Sequence, residues 1–324
     1  MAAWRYRRIA ITGTLIWVAL TGSALKAQPG GTDRPPLALS QSVETPSDRI
    51  WRIARRLLIA NADRCIQHRW EFGLLAFRPD KQSSVVEAKT QEKEPERFAI
   101  QRISPGGAAD KAGLRVGDRL ITANGVDWQS PEFTQIWNRA ESFDPAVERI
   151  TLQASRNKDM VTASINGERA CAIPVFLLPK KAVNAMAVDG RIVVYSALEQ
   201  ALREDDELAA IMAHEVSHVL LGHVPAPAAS NTNMPSAGRA FKPKRSQMEQ
   251  DADALSVRLL LQAGIDPEAA VRAQAKLGKT GRGPISRLLG LWGPYMSAPK
   301  RQEFLREEAD KARRERSQSA IEGH

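Results

Sequence analysis

The feature that most constrains the fold is the histidine motif His214-Glu215-Val216-Ser217-His218, which lies in an apolar stretch with helical spacing. On a helix, the i, i+4 spacing places both histidines on one face, where they can hold a single metal ion. Glu215 then lies beside the ion and can take a proton from a water molecule there. The motif predicts a zinc site with Glu215 as the general base, and the expected reaction is hydrolysis of an amide bond.

A purely structural helix is the alternative interpretation of this stretch. Its apolar residues would bury a large surface, and a histidine in such a surface is often a core residue. That alternative must also explain why two histidines and Glu215 occur at metallopeptidase spacing. The residues that would form the buried surface are Ile211, Met212, Val216, Val219 and Leu220.

A catalytic zinc site needs a third protein ligand. His223 follows His218 by five residues, so with a turn of about 100° per residue it should face away from the metal and end the helix. Glu249 is the better candidate, because it lies at the start of a second apolar-periodic helix that extends to about Ala263. We therefore predict one Zn²⁺ per chain, held by His214, His218 and Glu249.

Two further residues bear on the role of Glu249. Asp253 lies one helical turn later and is predicted to accept a hydrogen bond from the outer nitrogen of a ligating histidine. Ser246 leaves an alternative open, because Ser246 and Glu249 also fit a capping box, in which Glu249 would only stabilise the start of its own helix.

The histidine motif resembles that of the gluzincin metallopeptidases, the family that includes HtpX, BepA and the CAAX prenyl endopeptidases. The resemblance covers about residues 183–267 and includes the later Glu249-Gln250-Asp251-Ala252-Asp253. It implies the same three zinc ligands, with Glu215 as the base. It also implies that one strand lines the substrate cleft, formed by Asn184, Ala185, Met186 and Ala187.

The chain departs from this family at one point. Such proteins commonly have a His-Pro pair after the second helix that helps to stabilise the reacting oxyanion, and the equivalent here is Ala298-Pro299. Tyr295, Lys300 and Arg301 are candidates to replace the histidine. The departure supports an alternative function, a periplasmic chaperone or assembly factor with little proteolytic activity.

A second domain is predicted between about Phe72 and Ile165, where short strand-like runs alternate with turn residues. Within it, residues 103–125 resemble PDZ domains of bacterial proteases. Such a domain binds an extended peptide as an added strand and often holds its terminal carboxylate on backbone N–H groups. The candidates for the carboxylate loop are Phe72-Gly73-Leu74-Leu75 and Phe98-Ala99-Ile100, and a spacer without a peptide ligand is the alternative.

These observations predict an α+β protein with a mostly helical zincin-type metallopeptidase core, a small β-sheet and a β-rich PDZ-like domain. The expected order is a signal peptide or N-terminal anchor, a linker, the N-terminal helix of the peptidase core, the PDZ-like domain and the zinc metallopeptidase domain. Their ranges are 1–27, 28–46, 47–71, 72–166 and 167–324.

The N-terminus predicts export. Arg5, Arg7 and Arg8 precede an apolar run and small residues, which is typical of a secretory signal peptide, and a retained segment would associate the protein with a membrane. The formal net charge is +9, of which residues 1–27 contribute +4 through four basic residues and no acidic ones. The remaining +5 is only mildly basic, so we expect no nucleic-acid partner.

Two cysteines, Cys65 and Cys171, bracket the PDZ-like segment. Cys65 is expected at the end of a helix that begins near Ser47. An inserted domain has its two ends close together, and an exported protein meets an oxidising compartment, so we predict a disulfide between them. Two free buried thiols are the alternative.

Together, the sequence predicts a zinc metalloendopeptidase of the periplasm or cell envelope. Its substrates would be misfolded or envelope proteins, recognised with the help of the PDZ-like domain.

Overall fold

The structure is a computed structural model, and it describes residues 44–77, 98–224, 244–279 and 296–322. The predicted signal peptide or anchor, the linker up to residue 43, and Tyr295 lie outside the described residues. In the described ranges, no helix has both the length and the apolar sequence that a membrane crossing requires.

The first helix, α1, spans Pro46–Ala60. Thr45 and Asp48 form a capping box at its start, and Pro46 occupies the first turn, where a missing N–H costs no hydrogen bond. The prediction that this helix continues to Cys65 was wrong. Asn61 ends it, because the Asn61 side-chain amide donates to the carbonyl of Leu57 at 2.9 Å, and a single 3-10 turn then leads to Cys65.

The chain next enters the PDZ-like region through strand β1 (His68–Glu71). This region contains a six-stranded antiparallel sheet in the order β2-β3-β4-β6-β7, with the short β5 paired to β4. Its elements are β2 (Leu74–Phe77), β3 (Ala99–Ile103), α2 (Ala108–Lys111), β4 (Arg119–Ala123), β5 (Val126–Asp127), α3 (Pro131–Glu141), β6 (Arg149–Arg156) and β7 (Asp159–Asn166).

The PDZ-like region has a hydrophobic core of its own, which includes Leu120, Phe133, Ile150 and Leu152. The chain leaves it through β8 (Glu168–Cys171), which pairs antiparallel with β1. A disulfide joins Cys65 to Cys171, with 5.5 Å between their Cα atoms. The two ends of the region therefore lie side by side at the disulfide.

The remaining elements form a second core together with α1. Three strands make a small sheet in the order β10-β11-β9, so β10 lies at an edge. The elements are β9 (Val175–Leu178), β10 (Ala185–Val188), β11 (Arg191–Tyr195), α4 (Ser196–Ala201), α5 (Asp205–Leu220), α6 (Arg245–Gln262), α7 (Glu268–Lys279) and α8 (Ala298–Glu322). Most of the described strands lie in the PDZ-like region and most of the described helices follow β11, and the predicted α+β class is confirmed.

Candidate metal centre

Helix α5 carries the histidine motif in its last turns. Asp205, Asp206 and Glu207 occupy its first turn, where negative charge is favourable near the helix N-terminus. His214 and His218 are 5% and 4% exposed, and their Nε2 atoms lie 3.1 Å apart. The two imidazoles therefore point at the same small volume inside the protein.

Helix α6 brings Glu249 to the same place. Its Oε2 lies 3.4 Å from Nε2 of His214, and its Oε1 lies 3.6 Å from Nε2 of His218. The capping-box alternative is wrong, because the residue before the helix is Lys244, no side chain caps the helix start, and Ser246 lies inside the first turn.

Two observations indicate that these three side chains could hold a metal ion. One ligand atom from each residue lies within 4.8 Å of the other two. Oε1 of Glu249 is buried and has no hydrogen-bond partner among the described residues, so a buried oxygen is left with its lone pairs unused. Two imidazole nitrogens and one carboxylate oxygen are a donor set that suits zinc.

Asp253 supports the site from behind His214. Its Oδ1 lies 2.9 Å from Nδ1 of His214, and it accepts two hydrogen bonds of 2.7 Å from Arg301 of α8. Arg301 is 8% exposed, so it is a buried partner of Asp253. Ala298, Pro299 and Lys300 are exposed at the start of α8.

His223 was expected to face away from the metal and to end the helix; it is not one of the three grouped residues and lies at the helix end, but that expectation did not include its contact with His218. Helix α5 ends at Leu220, and Gly222, with φ of 68°, turns the chain back. Nδ1 of His223 then lies 3.0 Å from Nδ1 of His218. Extrapolating the helix past its end missed this contact, although the glycine beside His223 was the available signal.

Glu215 lies between the histidine pair and the edge strand. Its Oε2 accepts a hydrogen bond of 2.8 Å from the N–H of Ala187. Ala185, Met186 and Ala187 belong to β10, whereas Asn184 immediately precedes it and is buried. The general-base candidate and the candidate substrate strand are thus in direct contact.

Burial and the charges of the chain shift the pKa values of His214, His218 and Glu215 in different directions. Burial lowers the pKa of His214, but hydrogen bonds to Asp253 and Glu249 outweigh it and raise that pKa to about 10. Burial, together with the charge of His214, lowers the pKa of His218 to about 2. Burial raises the pKa of Glu215 to about 7, although His214 and the N–H of Ala187 oppose it. A base with a pKa near 7 is well matched to proton transfer at neutral pH.

Two family models match this chain. The model of peptidase family M48 matches residues 151–235, and the model of a PDZ domain matches residues 100–133. The chain contains an M48 peptidase domain and a PDZ domain. The predicted combination of a gluzincin-type metallopeptidase with a PDZ-like domain is confirmed. The M48 match includes His214, Glu215 and His218 but ends before Glu249.

One relative and two solved structures are similar to parts of this chain. The mitochondrial metalloendopeptidase OMA1 of Arabidopsis thaliana is 27% identical over 228 residues, which are 64% of this chain and 44% of the relative. The chain therefore spans less than half the length of that relative. The PDZ domain of HtrA3 bound to a phage-derived ligand is 16% identical, with coverage of 32% of this chain and 89% of that chain and a TM-score of 0.24. The serine endoprotease from Yersinia pestis is 18% identical, with coverage of 32% and 29% and a TM-score of 0.22.

Proposed function

We propose that this protein is a zinc-dependent metalloendopeptidase that hydrolyses peptide bonds of protein substrates. The observation that carries the proposal is the convergence of His214, His218 and Glu249 beside the buried carboxyl group of Glu215. The M48 match supports it, because that match includes the motif in which three of these residues occur.

The chain's own residues have distinct roles in this proposal. His214, His218 and Glu249 hold the ion, which when bound would lower the pKa of water to about 7 and polarise the scissile carbonyl. The N–H of Ala187 fixes Oε2 of Glu215. The other oxygen, Oε1, takes the proton from the attacking water and returns it to the leaving amine.

The edge strand β10 supplies a surface for the substrate backbone. It pairs with β11 on one side only in the described part of the chain. An extended peptide could add there as a further strand, which would bring its scissile bond toward Glu215. The PDZ domain would take part in selecting the chains that reach this strand.

We further propose that the protein is exported to the periplasm or cell envelope and acts there in protein quality control. The basic and apolar N-terminal sequence supports export, and retention of that segment would attach the protein to the membrane. The disulfide between Cys65 and Cys171 fits an oxidising compartment. Recovery of the full-length chain in the cytoplasmic fraction with both thiols free would contradict this location.

Casein digestion tests the enzymatic proposal. Wild-type protein should cleave casein, and Glu215→Gln should lower the rate by about 10²- to 10⁴-fold, because the amide cannot take up the proton. Glu204→Gln, at the exposed start of the same helix, is the matched control. A chelator should abolish cleavage, and added zinc should restore it. Cleavage that survives both Glu215→Gln and the chelator would exclude the proposed mechanism.

A further inference from the structure

We propose that the PDZ domain recognises an internal, extended segment of a protein and not a free C-terminus. The chain's own Glu71 carboxylate occupies the loop in front of β2, where a terminal carboxylate would otherwise bind. The inference rests on the proposed function in one respect, namely that the PDZ domain binds the peptide substrate. Its test measures binding and not cleavage, so either proposal can fail alone.

The structure distinguishes the two candidate carboxylate loops. Phe98-Ala99-Ile100 lies at β3, an inner strand with β2 on one side and β4 on the other. The N–H of Ile100 donates to the carbonyl of Asp118 at 2.8 Å, so it is already used within the domain. Phe72-Gly73 instead leads into β2, which among the described strands lies at the end of the sheet. The loop at Phe72-Gly73 is therefore the one next to an edge to which a peptide could add.

Helix α3 borders the same loop. Trp137 on α3 packs edge-on against Phe72, with 6.3 Å between the ring centroids. In this proposal the edge of β2 receives the backbone of an extended peptide, and α3 borders the Phe72-Gly73 loop at one end of that edge.

The carboxylate of Glu71, a residue of the same chain, occupies the Phe72-Gly73 loop. Its Oε1 accepts a hydrogen bond of 3.1 Å from the N–H of Gly73, which is a backbone donor of the loop itself. Its Oε2 lies 3.2 Å from Nη2 of Arg69, and Nε of Arg55 lies 3.7 Å from Oε1. The Glu71 side chain is only 8% exposed. A buried carboxylate thus already has the backbone and guanidinium partners that a peptide terminus would need.

A second carboxylate would have to share this loop with Glu71, whose pKa is already raised by burial. Two carboxylates that share one site cannot both stay ionised without a large cost, and the cost grows away from water. The terminal carboxylate of a peptide would have to displace Glu71 from Gly73 and from Arg69. An internal segment carries no such charge and can pair with β2 while Glu71 stays in place.

The peptidase domain closes the loop from its other side. Arg55 of α1 donates to the hydroxyl of Ser104 at 3.2 Å and forms an ion pair with Glu168. A Cβ atom on Gly73 would lie 3.4 Å from Nη2 of the same Arg55 and 3.4 Å from the N of Ala108. Arg55 and Ala108 therefore lie within van der Waals distance of this side of the loop.

The experiment compares free acids with amides. The full chain carrying Glu215→Gln, which prevents cleavage, is titrated with short peptides that tile the casein sequence, each made with a free C-terminal carboxylate and as a C-terminal amide. We expect the two forms of each bound peptide to have the same dissociation constant within about twofold. A preference of about tenfold or more for the free acids would overturn the proposal, and so would the absence of binding by either form.

A variant tests whether Glu71 is the cause. Glu71→Ala removes the internal carboxylate, so free acids should then bind at least about fivefold tighter than amides. Glu141→Gln is the matched control, because Glu141 is an exposed second partner of Arg69 and should leave the two forms equal. Equal binding of acids and amides by a folded Glu71→Ala protein would contradict the role of Glu71.

Hydrogen exchange locates the bound peptide and does not depend on any change at Glu71. Bound amidated peptides should slow amide exchange in Leu74–Phe77 and leave the β6–β7 hairpin unchanged. Protection confined to elements other than β2 would exclude the edge of β2 as the binding site.

Discussion

Arg301 and Asp253 form a buried, two-point ion pair directly behind the candidate metal centre, with both hydrogen bonds at 2.7 Å. The same Asp253 carboxylate lies 2.9 Å from Nδ1 of His214. Helix α8, which is far from the histidine motif in sequence, therefore determines how one candidate ligand is oriented.

Replacement of Arg301 should weaken both folding and metal binding. Arg301→Ala leaves the Asp253 charge buried without its main partner, which should lower the free energy of unfolding by on the order of 3 kcal/mol. The loosened His214 should lower zinc affinity by about 10- to 100-fold. Urea unfolding and competition with a chromophoric chelator measure the two effects.

Two further variants of α8 make the Arg301 result specific. Arg301→Lys should recover part of the stability but not all of the affinity, because lysine cannot form the two-point contact. Arg306→Ala, at an exposed position of the same helix, should change neither. Wild-type zinc affinity in a folded Arg301→Ala protein would show that Asp253 orients His214 without help.

His223 should have a smaller effect of the same kind. Burial lowers the pKa of His223, which favours the neutral imidazole, and its Nδ1 can then accept a hydrogen bond from the Nδ1–H of His218. Loss of that partner in His223→Ala should lower zinc affinity by about tenfold while the fold is retained. The affinity follows from the same chelator competition, with circular dichroism as the check on folding. An unchanged zinc affinity would show that His223 ends the helix but does not support His218 in metal binding.

The residues at this site differ in how far the sequence could predict them. The i, i+4 spacing of His214 and His218 depends only on helix geometry, so it could be read directly. Glu249 required a choice between ligand and cap, which depended on where α6 begins. The contacts that Arg301 and His223 make were missed, because the first depends on the packing of α8 against α6 and the second on a chain reversal that only Gly222 signals.

A similar limit applies to the fold. The helix at Pro131–Glu141 and the hairpin around Asn157-Lys158 follow local patterns, and the structure has both. Local patterns do not indicate that Nε of Arg55 lies 3.7 Å from Oε1 of Glu71, since that contact depends on how α1 packs against the PDZ domain.

Metal analysis tests the third candidate ligand. Glu249→Ala should reduce bound zinc from about one equivalent to well below half, because two imidazoles alone make an incomplete site. Asp251→Asn, two residues away on the same helix and hydrogen-bonded to Gln247, should keep the metal. Elemental analysis of the dialysed proteins measures the zinc content per chain directly. Full zinc occupancy in Glu249→Ala would assign the third position to another residue.

Asp205 should make stability depend on pH in the acid range. Burial would raise its pKa, but hydrogen bonds from Arg49 and Arg52 outweigh it and lower the pKa below the ordinary value of 3.8. The ionised carboxylate therefore stabilises the folded state above pH 3.8, and this contribution is lost as the pH falls through the lowered pKa.

The comparison of Asp205→Asn with wild type measures this contribution. Because the Asp205 side chain is 39% exposed, we expect a deficit of only about 1 kcal/mol at pH 7. The deficit should shrink as urea unfolding is repeated at progressively lower pH. The neighbouring Asp206→Asn serves as the control. A deficit that grows as the pH falls would show that the ionised Asp205 carboxylate does not stabilise the folded state.

The disulfide should stabilise the point at which the PDZ domain joins the peptidase domain. Cys65 and Cys171 are 106 residues apart in sequence, and His68 and Cys171 are opposite each other in the β1–β8 pair. A bridge across so long a loop restricts the unfolded chain, so its removal in Cys65→Ala/Cys171→Ala should lower the free energy of unfolding by about 2–4 kcal/mol. Reductant should produce the same loss in the wild type and none in the double variant. If reductant leaves the wild-type urea midpoint unchanged, the β1–β8 pairing and the packing around it hold the junction without the disulfide.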